Sequence, residues 1–262
     1  MVKRQTKVHI HLLQLGRVSY RKGLEIQARV VEARKAGRIG DTLLLLEHDP
    51  VITLGRNASR ANVLASDEWL AARGVELHEV NRGGDVTYHG PGQLVGYPIV
   101  DLRGEWPGKR GPFLGPVDFV RLLEEALIRT CGEFGVMAKR VKGCTGVWTF
   151  GGGESSQLSV LSSQKTQKRE KKLAAIGVHV SQGVTSHGFA LNVTTDLRDF
   201  EWIVPCGIAD RGVTSLELEA ADSAQPTMER AANAAARCFG RVFERQMVAC
   251  ASLDALLRDT DL

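Results

Sequence analysis

Hydrophobic residues recur along the chain in two spacings, one typical of amphipathic helices and one of buried strands. Helical spacing begins after Ser19, a residue type that caps helix starts, and continues to about Lys35, with Gly37 just past the predicted end. Further helices are predicted over residues 66–74, 117–134 and 228–248. The expected apolar face of the first helix consists of Tyr20, Leu24, Ala28 and Val31.

Short apolar runs predict strands between these helices. Residues 42–48 are almost continuously apolar, and Asp49-Pro50 turns the chain into a second strand over residues 51–54. Strands and helices interleave irregularly, which favours an α+β fold with a mixed β-sheet and packed helices over a doubly wound parallel sheet. The remaining strand candidates are residues 75–80, 93–102, 146–150, 173–180 and 188–193.

Composition narrows the class of protein. The 262 residues are 43% hydrophobic and 24% charged, which is ordinary for a globular protein, and we expect one domain over residues 1–262. No apolar run approaches the roughly 18 residues that span a membrane, so we expect a cytoplasmic protein without membrane contact. A net charge of +4 is too weak to indicate nucleic acid but is compatible with an acidic protein partner. Residues 151–171 are of low complexity and predict a mobile surface loop.

The cysteine pattern argues against disulfide and metal chemistry. The five cysteines form no C-x-x-C pair and are odd in number, so we expect free thiols rather than a disulfide framework or a closed zinc site. His9 and His11 share one face of a predicted strand, yet no third ligand and no H-E-x-x-H motif accompanies them. We therefore expect no metal and no cofactor.

One cysteine and one lysine are candidates for chemistry. Cys206 stands between Pro205 and Gly207, an arrangement that can present a thiol, although a lone cysteine more often packs as a small hydrophobic residue. Lys172 begins an apolar run, where a lysine is usually an exposed strand end and acts as a base only if it is partly desolvated. A thiol activated by such an amine would suit acyl transfer.

A glycine-rich segment over residues 82–94 supplies the third feature. It could be a tight turn between strands, but its Thr, Tyr and His residues are unusual in a mere turn, and its glycines would let backbone N–H groups face a ligand carbonyl. The segment lacks the spacing of a phosphate loop and leads into a strand rather than a helix. His187 is interpreted as a hydrogen-bonded residue of the pocket wall rather than a base.

Five motifs in this order resemble the lipoyl(octanoyl) transferase family. They cover the chain from about Leu15 to Glu219, and their joint occurrence lowers the weight of the passive-thiol interpretation of Cys206. The motifs are residues 45–56, residues 82–98, Lys172 to Gly177, His187 to Val193, and Pro205-Cys206-Gly207-Ile208.

The resemblance implies a catalytic domain like that of biotin and lipoyl protein ligases, and an octanoyl transfer that needs no ATP. The donor would be octanoyl-acyl carrier protein. The acceptors would be lysines in the lipoyl domains of 2-oxoacid dehydrogenase E2 subunits and in the glycine cleavage H protein. Cys206 matches the acyl-thioester nucleophile and Lys172 the residue that activates it, and we expect a monomer. The residues that match the acyl-site lining are Arg82, Gly83, Gly84, Asp85, Val86, Thr87, Tyr88, His89, Ala175, Ile176, Gly177, Gly188, Phe189 and Ala190.

This chain also departs from the family pattern. The loop before Lys172 is long and basic, Lys171 stands beside Lys172, and Cys144 is a second thiol that the pattern does not require. We hypothesise that the loop, together with residues 139–142, steers the acidic carrier protein; the alternative is a solvated charged loop. Two other functions stay open: an ATP-dependent lipoate or biotin protein ligase, and a non-catalytic acyl-carrier-binding protein with an inert thiol. A cysteine protease is disfavoured because the candidate histidines precede Cys206.

Overall fold

A computed structural model describes residues 9–109, 111–150, 170–204, 212–221 and 223–258. Cys206 and most of the predicted loop at 151–171 lie outside the described residues. The loop prediction was too long at its end, because Lys171 already belongs to a strand that runs to Ser181.

Twelve strands and six α-helices form the described part of the chain. The strands are β1 (His9–Val18), β2 (Thr42–His48), β3 (Val51–Leu54), β4 (Glu76–Glu79), β5 (Val86–His89), β6 (Gln93–Ile99), β7 (Lys139–Val141), β8 (Cys144–Thr149), β9 (Lys171–Ser181), β10 (Val184–Asn192), β11 (Gly212–Val213) and β12 (Gln246–Ala249). The helices are α1 (Tyr20–Lys35), α2 (Asp67–Ala72), α3 (Pro116–Gly132), α4 (Leu216–Glu219), α5 (Met228–Val242) and α6 (Leu253–Arg258). Two short 3-10 helices, Arg60–Asn62 and Leu197–Trp202, complete the set.

The main sheet has the order β12-β1-β2-β6-β10-β9-β8-β7, and β11 pairs with β9. β1 runs parallel to β2 and β12, whereas β6 is antiparallel to β2 and β10. The expected α+β architecture with a mixed sheet is therefore confirmed. A second, three-stranded sheet has the order β4-β3-β5. Its strand β5 carries the middle of the glycine-rich segment, whose last residues begin β6 of the main sheet.

Helices cover both faces of the main sheet. On one face α3 and α5 bury an apolar cluster that includes Phe119, Leu123 and Phe239. On the other face α1 packs Ile26 and Val30 against side chains of β1, β2 and β6. The second sheet has its own cluster with α2 and the 3-10 helix at 197–202. No helix in these described ranges is long and apolar enough to cross a membrane.

The predicted helix at 19–35 is confirmed, but its predicted face is wrong. The Ser19 hydroxyl caps the helix by accepting from the Lys22 N–H, and Gly37 adopts a φ of +68° just past the end. The buried side is made by Tyr20, Gly23, Ile26, Gln27, Val30 and Ala33, whereas Ala28 is exposed. Apolar periodicity missed this side because Gly23, which has no side chain, belongs to it; a Cβ there would meet the His48 ring at 2.6 Å.

The predicted helix at 228–248 is also too long. It ends at Val242, and Glu244 then takes a φ of +54°. Residues 246–249 instead form β12, which pairs in parallel with β1. The same chain segment therefore closes a helix and adds an edge strand to the sheet.

Candidate functional site

A cavity of about 380 Å³ opens between the main sheet and the second sheet. Its walls come from the glycine-rich segment on one side and from β6, β9 and β10 on the other, with Tyr20 of α1 as a further wall residue. The size suits a small organic group, since ligand cavities commonly measure roughly 300–1,000 Å³.

Glycines let the two walls approach each other closely. The Gly83 N–H donates to the Val178 carbonyl at 3.0 Å, which ties the glycine-rich segment to β9. A Cβ on Gly177, across this joint, would meet the Gly83 carbonyl oxygen at 2.6 Å, so only glycine fits there. Gly84 has a φ of +88°, a left-handed conformation that side chains other than glycine rarely adopt.

Thirteen of the fourteen predicted lining residues surround this one cavity. They are residues 82–87, His89, residues 175–177 and residues 188–190. The exception is Tyr88, which is fully buried on the opposite side of β5 and donates its hydroxyl to Asp199 at 2.6 Å. Strand alternation explains the difference, because Thr87 and His89 face the cavity while Tyr88 between them faces the second sheet's own core.

Lys172 lies in the cavity wall near the start of β9. It is 8% exposed, and its Nζ stands 4.7 Å from the ring centroid of Trp148 on the neighbouring strand β8. Lys172 is therefore not the exposed strand end that was its alternative interpretation, whereas its neighbour Lys171 is exposed. The Lys172 amine thus lies against an indole ring and is largely shielded from solvent.

Cys206 lies outside the described residues, but the chain on both sides of it is described. Val204, two residues before it, donates its N–H to the Asn62 carbonyl at 2.8 Å. After it, Val213 pairs with Lys172 in the β11–β9 ladder, and the Thr214 N–H donates to the Lys172 carbonyl at 2.9 Å. The segment that contains Cys206 thus rejoins the described chain directly beside the candidate lysine.

A series of buried hydrogen bonds holds Thr214, just after β11, in place. The neutral His89 ring donates from Nδ1 to the Gln93 Oε1 at 2.7 Å, and the Gln93 amide donates to the Asn192 Oδ1 at 2.9 Å. The Asn192 amide in turn donates to the Thr214 carbonyl at 2.9 Å. These hydrogen bonds link the glycine-rich segment, β6, β10 and the residue after β11. They therefore fix the position of the glycine-rich wall relative to the strands of the main sheet.

Three buried histidines lie at or next to the cavity: His89 and His187 line it, and His48 packs against His89 and Tyr20. Burial and, to a smaller extent, the nearby His48 lower the pKa of His89 to about 3. Burial likewise lowers the pKa of His48 and of His187 to about 4. The Arg82 guanidinium adds to the effect at His89 and His187, and it donates to the Thr53 carbonyl at 2.7 Å. His187 lines the cavity, as predicted, and its Nε2 hydrogen-bonds the Asn81 Oδ1 at 2.7 Å.

The sequence did not single out some residues of the cavity. Tyr20 begins α1, and burial raises its pKa to about 12, with Arg82 opposing the effect. Tyr97 lines the inner wall and hydrogen-bonds the His48 Nε2 at 2.7 Å. Only the motif at 82–98 carried a signal for Tyr97, and none pointed to Tyr20. Cys144, the additional thiol, does line the cavity.

Among the described residues, no group of three or more His, Cys, Asp or Glu side chains could hold a metal ion. Of the other described cysteines, Cys131 and Cys238 are buried free thiols, and the Cys250 Sγ lies 3.4 Å from the His11 Nδ1. Burial raises the pKa of Cys131 to about 12 and also raises that of Cys238, so neither favours the thiolate form.

Comparison with known proteins gives a consistent result. The octanoyltransferase of Acidobacterium capsulatum is 65% identical over 240 residues, which covers 91% of this chain and 92% of that protein. The octanoyltransferase of Koribacter versatilis is 51% identical over 95% of this chain and 90% of that protein.

Solved structures share the fold at low identity. A bipartite lipoate protein ligase from Thermoplasma acidophilum, described with its E2 lipoyl domain, superposes with a TM-score of 0.65 at 16% identity, over 96% of this chain and 91% of that one. A lipoate-protein ligase A bound with ATP gives a TM-score of 0.59 at 17% identity, over 97% of this chain and 93% of that one. The family profile of the lipoyl protein ligase A/B catalytic domain matches residues 19–240. The chain therefore belongs to the lipoyl protein ligase A/B catalytic domain family and, within it, is an acyltransferase of the octanoyltransferase group that carries out lipoyl or octanoyl transfer.

Proposed function

We propose that this enzyme takes an octanoyl group from acyl carrier protein, holds it on Cys206 as a thioester, and passes it to a lysine of a lipoyl domain. The acceptors would be the E2 lipoyl domains of 2-oxoacid dehydrogenases and the glycine cleavage H protein. The observation that carries the proposal is the burial of Lys172 in the cavity wall, beside the strand at which the chain returns from Cys206.

The proposed steps balance without an added activator. The amine of Lys172 accepts the thiol proton of Cys206, and the thiolate attacks the thioester carbonyl of the donor. The carrier thiolate leaves and takes the proton back from Lys172. The amine of the target lysine then attacks the Cys206 thioester and gives up a proton to Lys172. An amide bond forms, the bond to the Cys206 sulfur breaks, and the departing thiolate takes the proton back from Lys172. Exchange between two thioesters is nearly balanced and conversion to an amide is downhill, so the route requires no ATP.

The cavity walls support binding of the chain and of the reacting carbonyl. Ala175, Ile176, Phe189 and Ala190 provide apolar surface, and each buried methylene of an acyl chain contributes about 0.8 kcal/mol. We propose that backbone N–H groups of the glycine-rich wall stabilise the oxyanion. The Gly83 N–H is not among them, because it already donates to Val178.

Intact mass measurement after mixing with octanoyl-acyl carrier protein, without nucleotide, tests this proposal. We expect an octanoyl adduct in the unchanged protein and in Cys144→Ser, and none in Cys206→Ser. An adduct that persists in Cys206→Ser, or a transfer that requires ATP, would contradict the proposal.

Lys171 offers a matched control for Lys172, because the two are neighbours on β9 and only Lys172 is buried. Lys172→Met should slow adduct formation by about 100-fold or more, the usual scale of a lost proton acceptor. Lys171→Met should leave the rate within about twofold, since a solvated charge contributes little. Equal rates in the two variants would remove Lys172 from the mechanism.

A further inference from the structure

Tyr20 lines the cavity and also lines a second pocket. This second pocket measures about 330 Å³ and is lined by Ser19, Asp49, Pro50, Val51, Gly74 and Glu76 together with Tyr20. Among the described residues, Tyr20 is the one side chain that lines both spaces.

Tyr20 is held firmly in this position. It is 2% exposed, its backbone begins α1, and the Ser19 hydroxyl caps that helix start. Its ring centroid lies 4.9 Å from that of His48, 5.2 Å from that of His78 and 6.2 Å from that of His89. A ring packed on three sides forms a rigid wall rather than a mobile flap.

The wall lies far from Lys172 along the sheet. Tyr20 packs against His48 at the end of β2, whereas Lys172 is on β9. In the strand order β2-β6-β10-β9, three spacings of about 4.8 Å, or about 14 Å in all, separate these strands. An extended eight-carbon chain spans about 9 Å, because each carbon–carbon bond of about 1.5 Å advances a zigzag by about 1.25 Å. About 5 Å of the strand separation is then left for the Lys172 and Tyr20 side chains.

We infer that Tyr20 is the end wall of the acyl site and sets the upper limit of acyl chain length. The inference rests on the proposed function, which places the reacting carbonyl at Lys172. A chain longer than octanoyl would have to displace the packed Tyr20 ring. Replacing Tyr20 by a small residue would join the two spaces and let the tail reach the second pocket. That pocket has Asp49 and Glu76 in its wall, so the added methylenes would be only partly buried there and discrimination would weaken.

A competition experiment measures this limit directly. The enzyme is mixed with an equimolar mixture of octanoyl- and dodecanoyl-acyl carrier protein, and the ratio of the two adducts is read by intact mass. The ratio is independent of how much of a variant is folded. We expect Tyr20→Ala to raise the dodecanoyl-to-octanoyl ratio by about tenfold or more, since pockets that reject added methylenes do so by roughly 10- to 200-fold. Tyr20→Phe keeps the ring and should leave the ratio unchanged.

Tyr20→Leu gives an intermediate volume and serves if the alanine variant fails to fold; its ratio should rise by a smaller factor. An unchanged ratio in a folded Tyr20→Ala or Tyr20→Leu protein would overturn the inference. So would an equal rise in Tyr20→Phe, because that result would assign the limit to the hydroxyl group rather than to the wall. Absence of any adduct in the unchanged protein would instead contradict the proposed function, so the two failures are distinguishable.

Discussion

His48, His89 and His187 are the residues that most clearly tie the cavity to stability. Each is buried and accommodated as a neutral ring: His48 donates from Nδ1 to the Val18 carbonyl at 3.1 Å and accepts from the Tyr97 hydroxyl at Nε2. Charging His89 or His187 would place a cation near Arg82 in a buried site, and charging His48 would bury a cation against Tyr20 and Tyr97. The same neutrality that keeps the acyl site apolar should therefore make the fold sensitive to acid.

The sign of this pH dependence follows from the lowered pKa values. In the unfolded chain the pKa of each histidine is near 6.5, whereas folding lowers it to about 4 for His48 and His187 and to about 3 for His89. Below pH 6.5 the unfolded state binds protons that the folded state does not, so the free energy of unfolding falls as the pH falls from about 6.5 to about 4. Each histidine contributes up to about 1.4 kcal/mol per pH unit in this window.

The substitution His187→Asn tests this contribution. His187 has a φ of +54°, a backbone conformation that asparagine tolerates. Urea unfolding between pH 7 and pH 5 should show a shallower loss of stability in the variant, by up to about 1.4 kcal/mol per pH unit. Above pH 7.5 the plots of unfolding free energy against pH should be parallel for the two proteins, which serves as the internal control. Parallel curves below pH 6.5 as well would contradict a neutral, buried His187.

Residue identity alone located much of the site but not its orientation. The order of the motifs identified the family and assigned thirteen lining residues that the structure places on one cavity. It could not show that Tyr88 turns away, because that depends on which face of β5 meets the main sheet. Tyr20 was named only as a helix residue, since its part in the cavity depends on contacts with β2, far along the chain.

The contact between α3 and the β7–β8 hairpin contains several charged side chains. Glu124 of α3 is fully buried and accepts from Arg121 at 2.7 Å, from Arg140 of β7 at 3.1 Å and from the Gly146 N–H at 3.1 Å. This hairpin carries Trp148 and Cys144, so the contact supports the wall against which Lys172 packs. It also changes the interpretation of Arg140, a member of the hypothesised steering cluster, because its guanidinium is engaged within the fold.

Removing the buried carboxylate should show how much this contact contributes to the free energy of unfolding. Glu124→Ala should lower the free energy of unfolding by about 2 kcal/mol or more, because it leaves the buried Gly146 N–H without its acceptor and removes a carboxylate that pairs with both Arg121 and Arg140. Glu125→Ala is the matched control: its side chain is 32% exposed and pairs with Arg129 and Arg140, so about 1 kcal/mol or less is expected. Chemical denaturation of both variants gives the comparison, and equal losses would show that burial of Glu124 adds nothing.

Elements were predictable from sequence where the pattern was local. Residues 42–48 and 51–54 form strands as predicted, and Ser19 and Ser66 cap helices as their residue types indicate. The helix at 228–248 was misjudged because its last residues pair with β1, more than 200 positions away in sequence. A local hydrophobic pattern cannot reveal that a strand so far away in sequence will pair with this segment. Apolar residues also suit an edge strand as well as a helix.

The molecule as a whole carries a net charge of +4. Part of the positive charge that was hypothesised to attract the carrier protein, at residues 139–142, is paired with carboxylates of this chain. Lys139 pairs with Glu170 at 2.7 Å, and Arg140 pairs with Glu124 and Glu125. Attraction of an acidic carrier protein would therefore fall mainly to Lys165, Lys168 and Arg169, in the segment outside the described residues. Steered association weakens with ionic strength, so the salt dependence of the transfer rate reports which charges act.

Replacing Lys165, Lys168 and Arg169 by Gln lowers the net charge from +4 to +1, since three positive charges are removed. If these residues steer the carrier protein, kcat/KM at low salt should fall by about tenfold and its decline with added salt should flatten. Net charge alone could have a similar effect, and a second triple variant separates the two causes. Arg21, Lys22 and Arg29 are exposed on α1, and their replacement by Gln removes the same total charge at another place. If residues 165–169 steer the carrier protein, this control should keep the salt dependence of the unchanged enzyme. Identical plots of kcat/KM against salt for the two triple variants would assign the effect to net charge. A plot for the Lys165, Lys168 and Arg169 variant that matches the unchanged enzyme would remove the steering role.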